Sequence, residues 1–197
     1  MAETIETRPF PPFLPKKATI MMMGTFPPEE SKRAMEFHYP NFQNDFWRVF
    51  GLVFFDEKDY FRHGEDKAMD PDKIKAFLDK VGIASCPTVY KAIREKGNAS
   101  DAFLKVVETV NLEDVLEQIP DCKHIGTTGG KATEILLGML PEKVELPKTG
   151  ETIPFVYKGR ELTLTRLPST SRAYPLSLAK KAEAYKNFFK ACGLQTK

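Results

Sequence analysis

The chain has 197 residues, 42% apolar and 28% charged, the balance of a globular protein with a substantial core rather than of a disordered or collagen-like chain. Its 29 Lys and Arg against 27 Asp and Glu leave a net charge of +2, which excludes a histone-like tail or a polybasic membrane anchor but leaves room for a local basic face. Three well-separated cysteines (Cys86, Cys122, Cys192) and three scattered histidines (His38, His63, His124) show no zinc or iron–sulfur ligand spacing, so no metal or other cofactor is expected.

Residues 1–16 carry Pro9, Pro11, Pro12 and Pro15 and read as an extended arm; residues 17–197 read as one domain. The N-terminus has no signal-like apolar core, and no segment reaches the ~20 apolar residues of a membrane helix. A cytoplasmic monomer without membrane contact is expected, and isolated cysteines fit a reducing compartment. The NAS triplet at 98–100 matches a glycosylation sequon that carries little weight without a signal peptide.

ATIMMM at 18–23 is a continuous apolar run closed by Gly24, the pattern of a buried parallel strand. Pro27 and Pro28 open a loop, and EESKRAMEF predicts a short helix. NDFWRVFGLVF at 44–54 predicts a helix packed on a sheet. Asp70–Pro71 starts a second helix whose Ile74, Phe77, Leu78 and Val81 share a stripe and which Gly82 ends.

GIASCP at 82–87 reads as a strand end. VYKAIRE, DAFLKVV and LEDVLEQIP read as short helical pieces, with NASD at 98–101 as an N-cap. KHIGTTGGKATEILLGML (123–140) predicts strand, Gly-rich turn and helix. IPFVYKGRELTLTRLPSTS (153–171) predicts two strands around Lys158–Gly159, and Ser177 to Cys192 a closing helix stopped by Gly193.

Alternating strands and helices predict a three-layer α/β/α fold with a mostly parallel central sheet. Ligands of such folds bind beyond the carboxyl ends of the strands. Three of those ends carry unusual loops, GTFPP (24–28), TTGGK (127–131) and LPSTSR (167–172), which should converge on one cleft.

GTTGGKA is not a P-loop: it has three residues rather than four before GK, and Ala132 replaces the hydroxyl residue. Gly129–Gly130 serve either tight strand-to-helix packing or backbone contact with a phosphate. In LPSTSR, Ser169, Thr170 and Ser171 either shape a turn and cap a helix or offer donors to a phosphodiester, with Arg172 as charged anchor. HYPNFQNDFW (38–47) sets Asn41, Gln43 and Asn44 among aromatic rings, which suits stacking a planar ligand while amides read its edge or hold a water. Periodicity assigns Phe46 and Trp47 to the core side of the helix.

Together these stretches resemble the uracil-DNA glycosylase superfamily, and look closest to its hypoxanthine-DNA glycosylase and mismatch-specific branches. Gly24–Pro27 matches the Gly-x-x-Pro loop after the first strand, Asn44–Trp47 the Asn-x-Phe-Trp stretch, and Pro168–Ser169 the Pro-Ser loop before the last helix. The LPSTS run is typical of the hypoxanthine-like branch. The resemblance spans roughly residues 18–190.

The resemblance implies a metal-free, monofunctional glycosylase that hydrolyses the N-glycosidic bond of uracil or hypoxanthine in DNA. It implies Asn44, and second Asn41, as the catalytic amides. The base would be held by Gly24, Thr25, Phe26 and Thr128, with Tyr39 or His38 as stacking face. Ser169, Thr170, Ser171 and Arg172 would grip the strand, and Arg172 or Tyr174 would fill the space of the flipped nucleotide. Arg166, Arg172, Lys180 and Lys181 would supply basic surface.

The chain departs from the family at several places. Thr25 and Phe26 stand where the better-known members carry a water-activating Asp or Asn, Thr127–Thr128 stand in place of an amide, Phe42 replaces a proline of the mismatch branch, and the second loop has no histidine. Two rival readings follow: a non-catalytic nucleic-acid-binding module of the same fold, and a hydrolase of free nucleosides.

Overall fold

Four adjacent parallel strands organise the chain, in a computed structural model that describes residues 3–95 and 101–197. In order, β1 (Ile5–Thr7) and β2 (Ile20–Met23) precede the helices α1 (Phe46–Phe55) and α2 (Pro71–Val81). The strands β3 (Ile83–Ser85), β4 (Val89–Arg94) and β5 (Leu104–Thr109) follow, then α3 (Leu112–Gln118), β6 (His124–Thr128) and α4 (Gly130–Gly138). The chain closes with β7 (Thr152–Tyr157), β8 (Arg160–Leu167) and α5 (Leu178–Ala191).

The main sheet runs β3-β2-β6-β8-β7, parallel throughout except for the antiparallel edge strand β7. All four residues of β2 are buried because both faces of the sheet are covered. Ile20 and Met22 point to the side of α1, α2 and α5, among Trp47, Phe50, Ile74 and Phe189. Met21 and Met23, of opposite parity, point to α3 and α4, among Leu112, Leu116, Leu136 and Leu164. The expected three-layer α/β/α arrangement is the one observed.

Local signals set several helix ends. Asp70 Oδ1 accepts from the Asp72 and Lys73 amides, 3.1 Å each, with Pro71 at the first helical position. Gly82 ends α2 in the left-handed region at φ 76°.

Residues 89–94 and 104–109 differ from expectation: VYKAIR and LKVVET are strands, not helices. They form a second sheet, β1-β4-β5, antiparallel throughout, in which Val89, Ala92 and Leu104 pack under Phe26 and Ile135. Val and Ile fit a pleated, half-buried surface, and pairing partners remote in sequence override the short helical pattern. Of EESKRAMEF only Glu30–Lys32 is helical, a single 3-10 turn, because the Ala34 amide donates to Pro40 O at 2.8 Å and Met35 and Phe37 turn into the core. The expected N-cap at NASD lies largely outside the described residues.

The N-terminal segment packs onto the domain. Ile5 pairs with Ile93, Thr7 with Lys91, and Phe13 bridges to Ser85. In the main sheet the chain goes from β2 outward to β3 and then returns to β6 on the other side of β2. Crevices form at such reversals.

Candidate active site

A cleft of about 670 Å³ opens at the carboxyl ends of β2, β6 and β8. Gly24–Pro28 follow β2, Thr128 ends β6 and Ser169–Ser171 follow β8, and all of them line it. The three loops singled out in the sequence thus meet. His38, Tyr39, Asn41 and Asn44 also line it, whereas Gln43 is exposed and Arg172 is not part of the wall.

Asn44 sits at the turn into α1. Its Oδ1 accepts the Phe46 amide at 2.9 Å and the Thr170 hydroxyl at 2.8 Å. A backbone N–H can only donate, so the oxygen is fixed on that side and both its acceptor positions are used. The NH2 group then has no partner among the described residues and is left to the cleft. Asn41 shapes the same turn, its Oδ1 accepting the Gln43 amide at 3.0 Å and its carbonyl the Asn44 amide at 2.9 Å.

Tyr39 lies flat against buried Phe46, centroids 3.7 Å apart and planes within 7°, so one face of its ring is already covered. Its hydroxyl is 2.8 Å from Thr128 Oγ1 and lies over Gly24. A Cβ at Gly24 would fall 2.6 Å from that oxygen, which is why the first loop takes glycine here. Gly24→Ala is expected to cost about 1–3 kcal/mol through this overlap. Tyr39→Phe in the same chain should recover part of the loss, a non-additivity that thermal unfolding of the single and double variants would measure.

His38 is not an open stacking platform. It is 3% exposed and stacked on Phe37 with centroids 4.6 Å apart. Nε2 lies 2.9 Å from the Pro11 carbonyl and so carries the proton, which makes Nδ1 the acceptor of the Ser85 hydroxyl at 2.6 Å. Burial above all, joined by the charges of Arg8 and Lys75, pushes its pKa down to about 4 against the hydrogen bond to Pro11.

Between pH 6.5, its ordinary value, and about 4 the unfolded chain binds more protons than the folded one. The contribution of neutral His38 is therefore complete above pH 6.5 and lost progressively down to about 4. That loss amounts to about 3 kcal/mol. Urea midpoints measured across this interval should fall with pH in the wild type and follow a flatter course in His38→Gln.

Behind the cleft, the buried Asp45 carboxylate faces three cations. Oδ1 is 3.4 Å from Arg48 Nη1 and 3.2 Å from Arg172 Nε, and Oδ2 is 3.9 Å from Lys181 Nζ. Lys181 also donates to the Ser171 carbonyl at 2.9 Å, and the Asp45 amide to the Thr170 carbonyl at 3.0 Å. Burial lowers the Lys181 pKa, Asp45 opposes that shift, and Arg172 adds to it. Asp45 is shared by the three cations beneath the 168–172 loop, Asp59 also acts on Arg48, and Arg172 is the exposed cation of the group.

That loop is arranged differently from a row of outward hydroxyls. Thr170 is 2% exposed and gives its proton to Asn44, so it positions the amide rather than facing solvent. Ser169 Oγ and Ser171 Oγ accept the amides of Ser171 and Ala173, at 3.2 and 3.3 Å. Nor do the basic residues of 166–181 form one patch. Lys181 is 1% exposed, and Arg166 runs to the Pro147 carbonyl (3.0 Å) and crowds Gly130, where a Cβ would lie 2.9 Å from its guanidinium. Gly130 therefore serves packing.

The sequence motifs did not flag Arg8, Phe10, Lys32, Ser85 and Pro87, which complete the walls. Arg8 and Phe10 arrive through the pairing of β1 with β4, a contact across more than 80 positions that leaves no local signal. Among the described residues no three His, Cys, Asp or Glu come together as metal ligands, and no helix is long and apolar enough to cross a membrane.

No protein-family model matches the chain. It is 28% identical over 158 residues, 78% of this chain and 92% of the relative, to a protein of Methanosarcina acetivorans named hypoxanthine DNA glycosylase. A solution NMR structure of a candidate uracil DNA glycosylase from Methanosarcina acetivorans matches with a TM-score of 0.64 at 23% identity, covering 97% of this chain and all of the other. The fold is that of uracil-DNA glycosylase-like proteins. The resemblance to that superfamily, on its hypoxanthine-DNA glycosylase side, holds in sequence and in fold.

Proposed function

We propose that this protein is a monofunctional DNA glycosylase that removes a deaminated base, uracil or hypoxanthine, from DNA. The observation that carries the reading is the pinned Asn44 amide, whose oxygen is consumed by Phe46 and Thr170 and whose NH2 group is left to the cleft.

Deamination replaces an exocyclic amino donor on a base with a carbonyl acceptor. A cleft wall that offers donors selects for that change, and an amide able only to donate reads a carbonyl or holds a water through its oxygen. Asn44 is assigned to the attacking water. With both acceptor positions filled it takes no proton and acts by position alone.

The bond to the base breaks ahead of attack, so the sugar becomes cationic and strong activation of the water is not required. Tyr39, backed by Phe46 and tied to Thr128, lines the pocket for the base, and Gly24, Thr25 and Phe26 close it. Positive charge around Asp45, with Arg172 half-exposed, suits the phosphates next to the extruded nucleotide.

The test is a panel of labelled duplexes, each with one uracil, hypoxanthine or xanthine, incubated with the protein and then treated with alkali. Alkali-labile sites at one or more of these positions are expected. Salt-sensitive binding without such sites on any duplex would instead indicate a binding module, the rival that Phe26 and Thr128 favour.

A further inference from the structure

The N-terminal segment brings to the cleft a cation that has no carboxylate partner among the described residues. The Arg8 amide donates to the Tyr90 carbonyl at 2.9 Å, and the guanidinium lies over the Tyr90 ring, 5.0 Å from its centroid. Nη1 is closed off from solvent without a hydrogen-bond partner of its own, the guanidinium side chain bonds the buried Cys86 thiol, and no carboxylate pairs with Arg8 among the described residues. Among the described residues the other cation lining the cleft, Lys32, has Glu29 at 3.5 Å, and Arg94 on the neighbouring strand has Glu6 at 3.0 Å.

A second unmet group faces the same cleft. Thr25 is 6% exposed, and its Oγ1 is buried without a partner among the described residues. Buried polar atoms are almost always bonded, so two such atoms on residues lining one cleft, together with the NH2 of Asn44, point to a ligand that supplies acceptors. Arg8 stands on the β3 side, near Ser85 and Pro87, whereas the 169–171 loop follows β8 on the opposite side of β2 and β6. The strand-gripping loop and the Arg8 guanidinium therefore address different parts of a bound nucleotide.

We propose that Arg8 contacts the extruded base. The guanidinium donates to a carbonyl on the base edge and balances the negative charge that gathers on the base as it departs. The inference rests on the glycosylase reading. In the step, the C1′–N bond breaks with its electron pair going to the base, and the water oxygen bonds to C1′. The water gives its proton to solvent, and the base anion takes one from solvent on release. A fixed guanidinium in a site shielded from water suits this charge development. Thr25, on the same cleft, adds to the polar edge.

The test compares wild type, Arg8→Gln and Arg8→Lys in single-turnover excision of a base and of a more acidic analogue: uracil against 5-fluorouracil, or hypoxanthine against xanthine. Arg8→Gln is expected to lose about 100-fold on the parent base. The loss should be much smaller on the acidic analogue, whose anion needs less help, and Arg8→Lys should recover part of the rate. Thermal unfolding and affinity for an abasic-site duplex should stay near wild type.

Equal losses on both bases, or none, would overturn the assignment, since a structural role does not sense leaving-group acidity. If the wild type excises no base, the glycosylase reading fails separately. Calorimetry with free uracil and hypoxanthine then decides the role of Arg8. Binding by wild type that Arg8→Gln abolishes keeps it as a heterocycle contact, and equal binding or none overturns it.

Discussion

Asn44→Ala is expected to lower single-turnover base excision by about 10²–10³-fold while DNA affinity stays near wild type. The argument is geometric. Phe46 and Thr170 together fix the orientation of the amide, leaving it one free function, a donor on the cleft. On the proposed reading, removing it leaves nothing at that point to hold the water, whereas Arg172, proposed to meet phosphate, lies outside the cleft wall. The side chain also satisfies the Phe46 amide at the start of α1, so the variant should lose about 1 kcal/mol of stability. In a chain of this size that corresponds to about 2–4 °C in Tm. Thermal unfolding and excision rates measured on the same preparations separate this modest structural cost from the large kinetic one.

Asp45→Ala should be the most destabilising single change around the site, by about 3–5 kcal/mol. The carboxylate is the shared anion of Arg48, Arg172 and Lys181, and two of those cations are themselves buried, with side-chain exposures of 7% for Arg48 and 2% for Lys181. Truncation strands two charges in a poorly solvated place and also loosens the 168–172 loop that Lys181 holds through Ser171. Arg172→Ala is the control. Its side chain is 51% exposed and the pair is worth about 0–1 kcal/mol, so urea unfolding should place it close to wild type.

The site was legible in the sequence where chemistry is local. The continuous run of β2 and the Asp70–Pro71 start and Gly82 stop of α2 are local signals, and the three loops at strand ends predict the shared cleft that Gly24, Thr128 and Ser169 line. What escaped was set by distance. The Val, Ile and Tyr of 89–94 satisfy a short helical pattern and a strand pattern alike, and only pairing with β1 and β5 decides between them.

Because β1 was unseen, so was the wall it builds with Arg8. Lys181 looked like surface charge because lysine usually is. Nothing local announces that Asp45, more than 130 positions earlier, lies beside it. His38 looked like a stacking ring for a similar reason, since its two hydrogen-bond partners, Ser85 and Pro11, are remote in sequence.

The most direct test of the central claim is the amount of free base released by the wild-type protein, measured by mass spectrometry under single-turnover conditions without alkali. The account predicts one equivalent of uracil or hypoxanthine per oligonucleotide, with the strand intact. Salt-sensitive binding with no base released, or a strand already cut before alkali, would contradict it.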